Sequence, residues 1–248
     1  MKTKDGLWKL SPSGLYGFEK CKACFWLENH LRKAPGIPPV LNMAMDSILK
    51  ARYDFYREKG ELPPEAEKLK KEGVKPFRDL EILSKWRGST VDLKIINKKS
   101  GYELGGKIDE VLVEKDGRLI PADFKSSGYA PKADKQKYYI LQLNAYAMMF
   151  RERGYKVSDR AILLHYFVKN SRNPSIAVEF ENHIDTVKID LTEFAKKLER
   201  VTELLDSPYP GVNPSCETCI YHKERVMYGS LANNTESVIA RSEATKQS

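Results

Sequence analysis

No stretch of this 248-residue chain approaches the ~20 consecutive apolar residues that a membrane-spanning helix needs, so no such helix is expected. The N-terminal residues, MKTKDGLWKL, lack the apolar core of a secretory signal. Together these absences point to a cytoplasmic protein without a membrane partner. No internal repeat is visible, which argues against a solenoid. Aromatic residues vanish after about Leu231, where ANNTESVIARSEATKQS predicts a disordered tail over 231–248. Cysteine is scarce too: the chain has four, as Cys21-Lys-Ala-Cys24 and Cys216-Glu-Thr-Cys219. In a reducing compartment, paired CxxC points to metal binding before a disulfide. Zinc and an iron–sulfur cluster both accept four thiolates.

Hydrophobic residues make up 41% of the chain, enough for a sizeable core. The formal net charge is +8 and the pI about 9.1. Such an excess favours polyanionic partners, a nucleic acid or an anionic membrane surface, against the plainer reading of a soluble basic protein.

Apolar spacing predicts helices over 10–34, 41–59, 65–72, 135–153 and 191–205. Strands are expected between 90 and 98, over 102–113 and 118–125, over 161–168, and as two short runs at 176–180 and 183–187. This order implies an α/β or α+β domain with a mixed sheet. A single domain over 1–230 is expected. It has a helical part 8–75, a core 88–206 and a cysteine-bearing segment 207–230.

The informative segment is the hairpin turning at Lys115-Asp116-Gly117. With Asp116 at the midpoint, Asp109 and Asp123, seven residues to either side, lie directly opposite each other. Their Cβ atoms would be ~4.5–5.5 Å apart. Lys125, two residues on, projects from the same face. Like charges opposed on a sheet destabilise it. A divalent cation removes the conflict, and Mg²⁺ or Mn²⁺ prefers such hard oxygen ligands. It makes water easier to deprotonate and stabilises charge on a phosphoryl oxygen. The lysine can orient that water or stabilise the transition state. The parts suit phosphodiester hydrolysis; the alternative is a solvated hairpin face in which Lys125 neutralises one acid.

Gly106-Lys107-Ile108-Asp109 followed by Pro121-Ala122-Asp123-Phe124-Lys125 resembles the core motif of the PD-(D/E)XK nucleases. Gln142-Leu143-Asn144-Ala145-Tyr146 resembles the Q-x-x-x-Y signature of their RecB-type branch, related to the CRISPR-adaptation exonuclease. Leu10-Ser11-Pro12-Ser13-Gly14-Leu15, Cys21 and Phe25-Trp26 resemble its opening helix. The resemblance implies a restriction-endonuclease-like mixed sheet flanked by helices, with a cysteine cluster joining the chain ends. It implies Asp109, Asp123 and the Phe124 carbonyl as metal ligands, Lys125 as the catalytic lysine, and Gln142 and Tyr146 as supporting residues. The expected function is a Mg²⁺- or Mn²⁺-dependent DNA nuclease, an exonuclease foremost, in repair, recombination or CRISPR- or phage-type processing. The competing function is an inactive nucleic-acid-binding module of the same fold.

Two departures stand out. Asp46 occupies the place where many members carry a histidine ligand, so the resemblance implies it as a further metal ligand, against the alternative of an ordinary exposed residue on an amphipathic helix. Relatives hold a 4Fe–4S cluster with one N-terminal and three C-terminal cysteines, whereas this chain has two and two, leaving Zn²⁺ open and His222 as a spare ligand. Gly101 to Lys107 superficially matches a P-loop, but Ile108 replaces the required Ser or Thr, which excludes an ATPase. Any helicase, repair or CRISPR partner is expected to be a separate chain. The Lys68, Lys70, Lys71 and Lys75 cluster is weighed as a phosphate contact against a solvated face. His165 is expected in the core, and Trp26 and Trp86 are weighed as stacking platforms against core residues.

Overall fold

The computed structural model describes residues 2–31, 36, 39–88, 92–132, 134–169 and 177–226. The predicted tail at 231–248 lies outside them. The described residues fall into two compact units, one of residues 2–16 and 36–202, the other of 17–31 and 203–226.

In chain order the elements are β1 (Trp8–Leu10), α1 (Tyr16–Lys20), α2 (Lys22–His30), α3 (Val40–Glu58), α4 (Glu67–Lys71), β2 (Lys75–Pro76), α5 (Leu80–Arg87), β3 (Lys94–Asn97), β4 (Tyr102–Gly105), β5 (Glu110–Val113), β6 (Leu119–Ser127), α6 (Ile140–Glu152), β7 (Arg160–Val168), β8 (Phe180–Lys188) and α7 (Leu191–Asp206). They form the expected mixed α/β arrangement, with two mixed sheets where one was foreseen.

The larger sheet has the order β2-β5-β6-β7-β8, with β6 and β7 parallel and the other neighbours antiparallel. Its β5–β6 ladder pairs Glu110 with Ala122, Val111 with Pro121, Leu112 with Ile120 and Val113 with Leu119. That register is symmetric about Asp116, as the sequence implies. Gly117 takes φ +85° in the turn, a conformation that costs a residue without Cβ nothing.

Alternate residues of β6 face opposite layers. Ile120, Ala122 and Phe124 pack with Leu49 and Tyr53 of α3 and Leu69 of α4. On the other face, Val111, Leu119 and Leu163 pack with Leu143, Tyr146, Ala147 and Phe150 of α6 and with Leu83 and Trp86 of α5. The central strands β6 and β7 are thus buried on both faces over most of their length, which explains why β7 reads as a near-continuous apolar run.

Several boundaries differ from expectation. The single strand foreseen over 102–113 is two strands in different sheets. The chain leaves the first at Gly106, which sits so close to Pro12 that an added Cβ would lie 2.6 Å from its Cδ. The helix foreseen over 10–34 is broken at Cys21, whose backbone is extended at φ −162° and ψ 111°. Helix α5 and strand β2 were not foreseen. Of the short runs expected at 176–180 and 183–187, strand β8 takes in the second and only Phe180 of the first; residues 177–179 are not in a strand, and residue 176 lies outside the described residues.

Candidate active site

The site is built from the residue preceding β5, the central part of β6 and facing residues of α3 and α6. Asp123 lies in the middle of β6 and is only 1% exposed, whereas Asp109, one residue before β5, is half-buried. The Asp109 Oδ2 accepts the Phe124 backbone N–H at 3.1 Å. This bond continues the hairpin register past the ladder and fixes Asp109 beside β6. In an extended strand a residue's N–H and C=O point to the same side, so the Phe124 carbonyl faces toward Asp109 as well.

The Asp123 Oδ1 accepts from Gln142 Nε2 at 2.7 Å, and its Oδ2 is paired closely with the Lys125 ammonium. Each acid therefore has one oxygen fixed by a neutral donor and the other facing a positive charge. For Asp109 that charge is Lys50, whose Nζ lies 3.1 Å from Oδ1. Lys50 also contacts Asp46 Oδ2 at 2.6 Å. Three carboxylates and two ammoniums share this cluster, leaving one negative charge over.

Burial pushes the Asp123 carboxyl up to about 7, opposed by Lys125 and reinforced by the neighbouring Asp109 carboxylate. Burial also works against the charge on Lys125 and on Lys50. Their carboxylate partners outweigh it and raise both ammonium pKa values. Lys125 is further held 4.6 Å from the centre of the Tyr139 ring.

Gln142 and Tyr146 lie one turn apart on α6 and both are buried. Gln142 reaches Tyr146 Oη at 3.3 Å, and the Tyr146 hydroxyl donates to the Lys107 carbonyl at 2.5 Å. Burial pushes the Tyr146 phenol well above its ordinary range. The sequence-predicted residues Asp109, Asp123, Lys125, Gln142 and Tyr146 are thus connected. Asp46 reaches this set through Lys50.

Sequence reading missed Lys50 and the support behind Asp109. Arg87 donates through Nε to the Asp109 carbonyl at 2.7 Å, and its other nitrogens bind Asp54 and Glu110. Glu110 is fully buried and also paired with Arg57 at 2.5 Å. Burial raises the Glu110 pKa against the pull of both guanidiniums. The spacing of Lys50 four residues after Asp46 was the available signal.

These observations carry a family. A model of the PD-(D/E)XK nuclease superfamily matches residues 52–223, more than half of the chain. The chain belongs to the PD-(D/E)XK nuclease superfamily. As a PD-(D/E)XK protein it falls among metal-dependent nucleases acting on nucleic acid. No curated protein matches it. A solved structure described as "Crystal structure of SSO0001" is similar at 16% identity and a TM-score of 0.47, over 90% of this chain and 86% of that one.

The four cysteines of the PD-(D/E)XK chain come together in the second unit. Cys24 Sγ lies 3.3 Å from Cys219 and 3.7 Å from Cys216, and Cys21 lies 3.6 Å from Cys219. All four are free thiols. Cys21 immediately precedes α2, Cys24 lies in its first turn, and Cys216 and Cys219 stand at the start of a helical stretch over 217–226. The Cys219 N–H pulls the Cys216 thiol down to about 7, while burial pushes Cys24 well up. His222 stacks edge-on with Tyr221 and is outside the group of four.

Other candidates take plainer roles. Trp86 is buried against Phe77, and Trp26 stacks on His30 while donating to the Ser207 carbonyl at 2.9 Å. Lys68, Lys71 and Lys75 are exposed. Among the described residues no helix is long and apolar enough to cross a membrane.

Proposed function

We propose that the protein is a Mg²⁺- or Mn²⁺-dependent deoxyribonuclease of the RecB-type branch, with Asp109, Asp123 and Lys125 at its centre. The carrying observation is the pair of acids that each hold one oxygen on a neutral donor and turn the other toward a cation. A hard divalent ion fits that donor set, with the Phe124 carbonyl as a third oxygen. Asp46 joins the ligands once Lys50 moves off it.

When bound, the ion supplies Lewis-acid stabilisation of the phosphoryl group and a lowered pKa for water. The chain's own residues do the rest. Gln142 holds Asp123 in one orientation. Tyr146 pins the Lys107 carbonyl, two residues before Asp109, and Arg87 pins the Asp109 carbonyl itself. The Lys125 ammonium stabilises negative charge as it builds on the scissile phosphate. The net charge of +8 draws the polyanionic strand to the protein. Exonucleolytic action in DNA repair, recombination or CRISPR- or phage-type processing, alongside a separate helicase or CRISPR protein, is the biological setting proposed. So is a cytoplasmic location.

The test is degradation of single-stranded DNA, double-stranded DNA and RNA with Mg²⁺ or Mn²⁺, by the wild type and by Asp123→Ala. Loss of at least a hundredfold in the variant is expected. Equal rates in the two proteins overturn the reading and leave a nucleic-acid-binding module.

A further inference from the structure

We infer that the four cysteines hold one tetrahedral zinc ion, and that the 4Fe–4S cluster implied by the family resemblance does not fit here. The inference stands apart from the nuclease reading, since none of its residues belongs to the hairpin site.

The argument is one of size. Zinc is bound by thiolate at about 2.3 Å, so a regular tetrahedron of four sulfurs around it has edges of about 3.8 Å. The sulfur separations here are 3.3, 3.6 and 3.7 Å. All four ligand atoms lie within 4.8 Å of one another. Such a cage has room at its centre for a single ion. A cubane has to place four irons and four sulfides between the same thiolates, and the cage would have to open widely on every edge to admit it.

Ligand spacing agrees. Two CxxC pairs, one from each segment, make the donor pattern of structural zinc sites, closed to solvent ligands. A donor outside the four is also in place: Asn213 Nδ2 reaches Cys21 Sγ at 3.8 Å, the kind of outer hydrogen bond that steadies a ligating thiolate. The same Asn213 caps its own loop by accepting from the Ser215 N–H at 2.9 Å.

The site also explains two local features of the fold. The helix breaks at Cys21, which turns that thiol and Cys24 toward the same point. The segments 17–31 and 203–226 have little apolar core around these thiols, the buried cluster there being Cys21, Ala23, Cys216 and Cys219. Four thiols packed this closely without a cation would repel as they ionise. One ion satisfies all four and ties together two segments 192 or more residues apart.

The experiment is metal and sulfide analysis of the full-length protein, purified without affinity metals both in air and anaerobically. About one zinc per chain, no acid-labile sulfide and a colourless solution under both conditions are expected. Cys24→Ser and Cys219→Ser should each lose most of that zinc. Should those variants prove insoluble, replacing zinc by Co²⁺ in the wild type decides, with the ligand-field and charge-transfer bands of a tetrahedral tetrathiolate expected. Iron with stoichiometric sulfide and a brown chromophore overturns the inference. So does a folded wild type free of metal, or zinc that soluble Cys→Ser variants retain in full.

Discussion

Lys50 Nζ stands 3.1 Å from Asp109 Oδ1, on the oxygen that the hairpin leaves free. The ammonium holds the place of a positive charge that the paired acids demand. A divalent cation has to compete with it for that oxygen. Lys50→Met should therefore tighten Mn²⁺ binding by about three- to tenfold, the equivalent of about 1 kcal/mol for a partly exposed ion pair. Titration calorimetry of the wild type and the variant measures this. Weaker binding in Lys50→Met would place the lysine among the groups that assist the ion.

Behind Asp109, the Arg87–Glu110–Arg57 network fixes the start of β5. Removing Arg87 leaves the fully buried Glu110 with one guanidinium and frees the Asp109 carbonyl. Breaking a buried pair in this way costs about 3 kcal/mol. Arg87→Met should lower the urea midpoint accordingly and reduce cleavage beyond what the lost stability explains, when assayed well below its midpoint. A variant with unchanged midpoint would show that Arg57 alone supports Glu110.

Gln142 donates to a buried carboxylate, and hydrogen bonds to charged groups are worth about 1.5–3 kcal/mol. Gln142→Leu should cut cleavage by about ten- to a hundredfold while far-UV circular dichroism stays unchanged. Tyr146→Phe removes the bond to the Lys107 carbonyl and the longer contact accepted from Gln142, both between neutral groups and worth about 1 kcal/mol or less each. It leaves the Gln142–Asp123 bond in place, so cleavage should fall by about tenfold or less. The reverse order in single-turnover assays would assign Tyr146 the larger role.

The hairpin and its acids were legible because a tight turn transmits register by counting: Asp116 at the midpoint determines what faces Asp123. Gln142 and Tyr146 were legible because helical spacing puts them on one face. What the sequence hid depends on contacts between distant segments. Nothing local marks Lys50 as the partner of Asp109, 59 positions away. Nothing local separates β4 from β5 into two sheets; at the break, Gly106 packs closely on Pro12, a residue from a distant part of the chain. Helix α5 was lost in a highly charged stretch, although Asp79 caps it by accepting from the Ile82 N–H at 2.9 Å.

His165 supplies a pH signature of the fold. It is buried on β7, across from His183 and beside Lys125 in the ladder. Its Nε2 lies 3.1 Å from Asp185 Oδ2, close but without hydrogen-bond alignment. Burial lowers its pKa, against the pull of Asp185 and with the push of His183 and Lys125. A base that the folded state keeps neutral contributes fully above its unfolded pKa of about 6.5. Below that value the unfolded chain takes up a proton that the folded chain refuses, so stability falls as pH falls. The folded chain also protonates Asp123 from a pH of about 7 downward, which stabilises it and works in the opposite direction. The His165 effect is therefore the loss of wild-type urea midpoint relative to His165→Gln between pH of about 7 and about 5. An equal slope in the variant would assign the loss to other groups.

The most direct measurement is anomalous scattering from crystals of the wild-type protein soaked in Mn²⁺. A peak is expected between the Asp109 and Asp123 carboxylates, with Lys50 withdrawn from Asp109 and the Phe124 carbonyl turned to the ion. Full Mn²⁺ saturation with no peak between those two side chains would contradict a cation-holding acid pair at the head of this hairpin.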